Sequence, residues 1–211
     1  MNRLTKTRKN PLRIIIFLFA FVALSSLAAH AQTDVAASVY GAFSGATTGN
    51  GVEQSPSNAA GAMLELRHIS NPIMGFDVSY SFNRANQVYV PTVSCGLPCG
   101  IVTPAAVSAD AHELAAAWVA SIKVGSFRPF AQGGGGLMLN EPAGSQSSTT
   151  SSIKPVFVYG AGLDWTFFPH LGLRFQYRGN LYKAPDVTKL YTSTGAFTRT
   201  AEPMIGVYFR L

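Results

Sequence analysis

Gly75-Phe76-Asp77-Val78-Ser79-Tyr80-Ser81-Phe82-Asn83 alternates in polarity without interruption. Successive side chains of a strand point to opposite faces. Phe76, Val78, Tyr80 and Phe82 therefore share one face, and Asp77, Ser79, Ser81 and Asn83 the other. A nine-residue segment with one greasy and one polar face has the length and pattern of a strand that crosses a bilayer.

The pattern recurs along the chain. Leu173 to Arg178 sets Leu173, Phe175 and Tyr177 against Arg174, Gln176 and Arg178. Phe157 to Phe167 sets Phe157, Tyr159, Leu163, Trp165 and Phe167 against Gly160, Gly162, Asp164 and Thr166. Weaker segments are Val35–Phe43, Ala62–His68 (Leu64 and Leu66 opposite Glu65 and Arg67), and Ala109–Ala120 (His112, Leu114, Ala116 and Trp118 opposite Glu113). The last segment, Glu202–Leu211, aligns Ile205, Val207, Phe209 and Leu211 opposite Arg210. Phe127–Leu139 is strand-length, but Phe130 shares its parity with Arg128 and Gln132, so its facing stays open.

These eight segments have connections of alternating length. Residues 70–74, 122–126 and 169–171 are short. Residues 44–61, 85–108, 140–154 and 182–199 are long and rich in Gly, Ser, Thr, Asn and Pro. Short turns on one side and long loops on the other fit an outer-membrane barrel, and an even strand count closes the sheet. Closure satisfies every backbone amide, as lipid demands. The expected fold is an all-β, eight-stranded antiparallel up-and-down transmembrane β-barrel. A soluble exported β-sandwich is its rival, with the aromatic faces buried against a second sheet.

Composition agrees. The 211 residues are 47% hydrophobic and only 12% charged, against roughly 25% charged in ordinary soluble domains. No apolar stretch of about 18 residues follows Ala31. The N-terminus reads as a cleavable signal peptide, residues 1–31. Arg3, Lys6, Arg8, Lys9 and Arg13 precede an apolar run, Ile14 to Leu24, and small residues lead to Ala29-His30-Ala31. A retained membrane anchor is the alternative. Removal of the peptide takes five of the 16 basic residues and none of the 10 acidic ones, so the +6 of the whole chain becomes 11 against 10, or +1. The basic balance then implies no nucleic-acid partner. Residues 32–211 form the expected barrel domain. Cys95-Gly-Leu-Pro-Cys99 fits a small structural disulfide ring pinning a loop tip, with free thiols as the alternative.

The C-terminal Gly206-Val207-Tyr208-Phe209-Arg210-Leu211 resembles the terminal insertion signal of outer-membrane proteins, carried by Gly206, Phe209 and Leu211. It departs from that pattern in ending on Leu and in carrying Met204 where a polar residue is usual. The wider chain resembles the small OmpA/OmpX-like barrels, above all in Asp164 to Arg178, which is similar to their strand-turn-strand unit. The peptidoglycan-binding domain of OmpA itself has no counterpart before Leu211. The resemblance implies residence in the outer membrane, lipid as the surrounding partner, and help from periplasmic chaperones and the barrel-assembly machinery.

Glu65, Arg67, Asp77, Glu113, Asp164, Arg174, Gln176, Arg178 and Arg210 are expected inside. An eight-stranded lumen is just wide enough for side chains to fill, so ion pairs plugging the interior are expected; a small-solute pore is the alternative. Phe76, Tyr80, Phe82, Trp118, Tyr159, Trp165, Phe167, Phe175 and Tyr177 are expected in the lipid-facing aromatic girdle. His68-Ile69-Ser70-Asn71 resembles the H-x-S-N motif of the lipid A deacylase barrels, with His as base and Ser as nucleophile. It falls at a short, periplasmic turn, while Ser-Asn-Pro is ordinary turn sequence, and Glu65 lies on the opposite face from His68. Gly133-Gly134-Gly135-Gly136 lacks the GK[ST] of a phosphate loop and suits a strand bend or close packing. No cofactor, metal or catalytic residue is expected. A structural or surface-binding role through the long loops is the leading reading, its extracellular ligand open. Val88, Tyr89, Val90, Leu97, Ile101 and Val102 either form a binding patch or extend the hairpin above the membrane.

Overall fold

The computed structural model describes residues 32–70, 73–92, 104–144, 148–191 and 193–211. The expected signal peptide, Cys95, Cys99 and Asn71 lie outside the described residues, as do Leu97, Ile101 and Val102. The described chain is all strand: β1 (Gln32–Ser44), β2 (Thr47–Gly49), β3 (Val52–Pro56), β4 (Ala59–Ile69), β5 (Met74–Pro91), β6 (Ala105–Ser121), β7 (Phe127–Pro142), β8 (Ser152–Phe168), β9 (Leu171–Lys183) and β10 (Phe197–Arg210). No described helix is long and apolar enough to cross a membrane.

Eight strands close on themselves in the order β1, β4, β5, β6, β7, β8, β9, β10, every pair antiparallel, with β10 returning to β1. From Val39 the pairing passes through Ala62, Phe82, His112 and Leu139 to Ile153 on β8. In the other direction it passes through Ile205 and Phe175 to Leu163 on β8. Residues 153 and 163 of one strand thus close the same circuit, a stagger of ten residues. That stagger tilts the strands, as closing a sheet into a barrel requires. Closure excludes the sandwich: the aromatic faces point outward, with no second sheet to cover them. Val39 and Trp118 are 62% and 69% exposed.

The eight expected segments are all strands, but several run longer. β5 and β6 continue to Pro91 and back from Ala105, pairing from Met74↔Ala120 to Tyr89↔Ala105. Val88, Tyr89 and Val90 therefore extend the hairpin instead of forming loop. The stretch 44–61, expected as loop, holds the hairpin β2–β3, and β3 pairs with the upper part of β5 from Val52↔Pro91 to Pro56↔Gln87. Its turn is Asn50-Gly51, with φ of 51° and 73°, the left-handed pair that a two-residue type I′ turn requires.

Three tyrosines lie across from glycines in directly paired positions: Tyr40↔Gly61, Tyr208↔Gly172 and Tyr159↔Gly179. A Cβ added to any of these glycines would overlap the tyrosine ring. The ring thus covers the bare backbone, the cross-strand arrangement that rescues glycine in a sheet. In the glycine run, Gly134 and Gly136 pair with the buried Ala117 and Ala115. Added Cβ atoms there would strike the backbone of β6. The β6–β7 wall is consequently thin, which leaves room for long side chains from the opposite wall.

Candidate functional site

The inward positions of the barrel form two ion knots, to which all eight barrel strands together contribute. Arg174 on β9 is fully buried and donates from Nε to Asp164 Oδ1 (2.7 Å), from Nη1 to Glu65 Oε1 (2.6 Å), and from Nη2 to Asp34 Oδ1 (2.8 Å) and Asp164 Oδ2 (3.0 Å). Arg67 on β4 donates to Glu65 (2.6 Å), Gln132 (3.3 Å), Asp164 (3.4 Å) and Asp77 (3.5 Å). Its guanidinium stands 4.0 Å above the centroid of Phe130. That contact fixes the facing left open by the sequence: Phe130 points inward, 5% exposed, between Arg128 and Gln132. The flat, weakly hydrated guanidinium can stack and fork at once, which an ammonium cannot.

A second knot lies further up. Arg178 pairs with Glu113 and Glu202 and donates to Ser79 Oγ (3.3 Å) and Asn180 Oδ1 (3.2 Å). Asn180 donates to Glu113 (2.9 Å) and Glu202 (3.0 Å), so it bridges the two carboxylates. Gln176 is buried beside these groups. Arg210 stands at the periplasmic mouth, half-exposed, and donates to Thr166 Oγ1 (3.3 Å). Six carboxylates thus meet three fully buried guanidinia, with Arg128 and Arg210 towards the mouth. Among the described residues every lysine lies outside the network. Sequence reasoning missed Asp34, Asn180 and Glu202. The signal was parity: Glu202 has the same parity as Arg210, and Asp34 is opposite Val35.

Above the network the tube narrows. The cavity between Glu202, Asn83 and Gln87 holds about 20 Å³, little more than one water. Over it, Gln54 on β3 donates to Gln87 Oε1 (3.0 Å), the Tyr89 hydroxyl (3.2 Å) and the carbonyl of Pro185 (3.0 Å). Tyr89 itself donates to the Pro185 carbonyl (3.2 Å). Val52, Tyr89, Val107, Ala109 and Val187 form an apolar cluster there. Burial pushes the Tyr89 phenol up to about 12, so it stays a neutral donor. The extracellular end is therefore a packed β-platform.

The expected girdle residues all face out. Trp165, Phe167 and Phe209 stand near the periplasmic turns, with Phe127 stacked on Trp165 at 6.2 Å. Phe76, Trp118 and Phe175 line the lower half of the outer face. Phe82 is just below Arg84, whose pair with Asp110 (2.5 Å) marks the upper border of the apolar band. Tyr80, Tyr159 and Tyr177 stand midway along their strands instead of at a rim. Tyr159 is held there by Gly179, which its ring covers, and Tyr80 by a 2.8 Å hydrogen bond with His112 Nδ1.

Gly206 is buried against Ser38, where a Cβ would not fit. Phe209 and Leu211 are exposed on the outer face, and the Leu211 amide donates to the Thr33 carbonyl (2.9 Å). His68 faces outward near the periplasmic turn. Its Nδ1 is held by Thr33 Oγ1 (2.9 Å) and its ring lies 5.5 Å from Phe76, while Glu65 points into the lumen. The base and acid of a hydrolytic triad are thus on opposite faces of the wall. Among the described residues no group of His, Cys, Asp and Glu is arranged to hold a metal ion.

The comparisons with known proteins agree with this architecture. Residues 17–198 match the family model described as "Outer membrane protein beta-barrel domain". The fold is similar to neisserial surface protein A (15% identity, TM-score 0.56, covering 87% of this chain and 100% of that one). It is also similar to OprG from Pseudomonas aeruginosa (9% identity, TM-score 0.54, covering 85% and 96%). No curated protein matches the chain in sequence. With a closed eight-stranded tube, an apolar outer face and a family match over most of its length, the chain belongs to the outer membrane protein beta-barrel domain family and resides in the cell outer membrane.

Proposed function

We propose that this protein is a non-enzymatic, non-conducting barrel that holds an extracellular β-platform rigidly above the membrane for surface binding. The observation that carries this reading is the occupied lumen: Arg67, Arg174 and Arg178 tie carboxylates from around the wall together, and the cavity above them between Asn83, Gln87 and Glu202 holds about 20 Å³. A solute path would require breaking buried pairs, each costing several kcal/mol. That disfavours a porin, and the separation of His68 from Glu65 disfavours a lipid hydrolase. Function then falls to the long hairpin β5–β6 with β2–β3 beside it, since binding residues concentrate on loops carried by a rigid scaffold.

Export through residues 1–31, a Cys95–Cys99 ring at the hairpin tip, and delivery by periplasmic chaperones to the barrel-assembly machinery through Gly206, Phe209 and Leu211 complete the proposal. Deletion of 85–108 tests it. The truncated barrel should keep its heat-modifiable mobility on gel electrophoresis and lose surface adhesion. Unchanged adhesion, or steady nanosiemens-scale openings of the parent protein in planar bilayers, would refute the reading.

A further inference from the structure

The outer face of the barrel is not uniformly apolar. On β9 the outward positions rise through Tyr177, Gly179 and Leu181 to Lys183. On β10 they descend from Phe197 through Arg199 to Ala201. Leu181 pairs with Arg199 and Lys183 with Phe197, so Arg199 and Lys183 are diagonal neighbours on one surface. Both are exposed. Neither forms an ion pair with a carboxylate among the described residues, although Lys183 lies 5.8 Å from the Phe197 ring centroid. Directly below Arg199 is a surface groove of about 420 Å³, floored by Gly45 and Ala201 and walled by Phe43, Tyr159 and Tyr177. The groove exists because the outward residues on its floor are small. It lies within the membrane-facing band and ends at its extracellular border, capped by Arg199.

We propose that this groove with Arg199 and Lys183 binds one molecule of the phosphorylated glycolipid of the outer leaflet. An acyl chain lies over Ala201 between the rings, and a sugar phosphate meets the guanidinium and the ammonium. The apolar trough selects a chain, and two uncompensated cations at its upper end select an anion at headgroup height. A guanidinium forks onto phosphate oxygens, and a basic residue at a membrane surface attracts an anionic headgroup by about fivefold in affinity. The larger groove over Ala37, Ala62 and Gly206 is lined by apolar side chains apart from Ser38 and Tyr80 and carries no such headgroup element.

The test uses the full mature barrel in phosphatidylcholine nanodiscs carrying either bisphosphorylated lipid A, its dephosphorylated form, or phosphatidylglycerol. Retained lipid is counted by native mass spectrometry. The parent should retain the bisphosphorylated glycolipid in preference to the other two. Arg199→Ala and Lys183→Ala should each weaken retention about fivefold, and the double variant about thirtyfold. Ala201→Leu, which fills the trough and keeps both charges, should also lose the lipid. Lys123→Ala, at a periplasmic turn, should not. Heat-modifiable mobility checks that each variant is folded. Equal retention by parent and double variant overturns the site. Equal retention of the dephosphorylated glycolipid overturns the phosphate contact, and equal retention of phosphatidylglycerol overturns the glycolipid as its occupant.

Discussion

Within the membrane band the lumen is closed by arginines and carboxylates. Further up β5, at Gln87 and Tyr89, the same tube is closed by neutral amides, a phenol and valines. Both regions are buried, yet only one contains charge. The lower region is enclosed by wall on every side, so its charged groups can be fixed against several partners each, which buried charge requires. The upper region is built from a hairpin, a strand extension and the Pro185 segment, and it adds neutral hydrogen bonds worth about 1 kcal/mol each. The lower network is therefore the structural anchor, and the upper platform, though packed, contributes less to the stability of the whole barrel.

The contrast breaks most sharply at Arg174. Arg174→Ala leaves Asp34, Glu65 and Asp164 without their shared guanidinium and should cost about 3–5 kcal/mol, read from urea unfolding in lipid vesicles. Converting Asp34 and Asp164 to amides in the same chain should recover part of that loss. A loss below about 1 kcal/mol would show that the network is not the anchor. Next comes the wall itself. Gly172→Ala forces a Cβ into the Tyr208 ring and should cost about 1–3 kcal/mol, and adding Tyr208→Ala should relieve much of it. If the two costs simply add, the ring-on-glycine joint carries no coupling.

Gln54→Ala sharpens the comparison from the other side. It removes three donated hydrogen bonds of the platform. Faster amide exchange across 47–56 and 87–91 should follow, with barrel unfolding moved by only about 1 kcal/mol. A global loss as large as that of Arg174→Ala would erase the distinction between the regions. The smallest effect concerns Arg84 and Asp110 above the apolar band. Their hydrogen bond holds the Asp110 carboxyl below its usual value of 3.8. Because the folded value is depressed, the stabilisation is complete above the ordinary carboxylate range and fades as pH falls through the lowered value. Titration by NMR in the parent and in Arg84→Ala checks this: the variant should titrate nearer the ordinary value.

The barrel was legible in the sequence because lipid outside and a filled lumen inside impose the same two-residue period on every strand. Phe76, Val78, Tyr80 and Phe82 show it without any long-range information. Parity also placed Glu65, Arg67, Asp77, Glu113, Asp164, Arg174 and Arg178 together. It could not say that Arg174 meets Asp34 from β1, because that contact depends on a stagger of ten residues set around the whole circuit. Phe130 was unreadable for a related reason. An inward aromatic contradicts the polar-inside rule, and long-range contacts account for it: the guanidinium of Arg67 above its face, that of Arg174 further off, and the buried Ile69 and Val119 beside it. The β2–β3 hairpin carried a local signal in Asn50-Gly51, but its flanks are short and polar, so it looked like loop. Strand length above the band was likewise hidden: once side chains leave the lipid, nothing enforces a greasy face.

The spread of the network along the chain has a consequence in time. Asp34 comes from the first strand, Glu65 from the next barrel strand, Asp164 and Arg174 from the paired strands β8 and β9, and Glu202 from the final strand. A sheet that has formed every pairing except the seam between its two ends still lacks the first-strand carboxylate in its place beside Arg174. Zipping that seam brings Asp34 and Glu65 to Arg174, so the last contacts of this guanidinium act as a latch that engages only when the first and last strands meet.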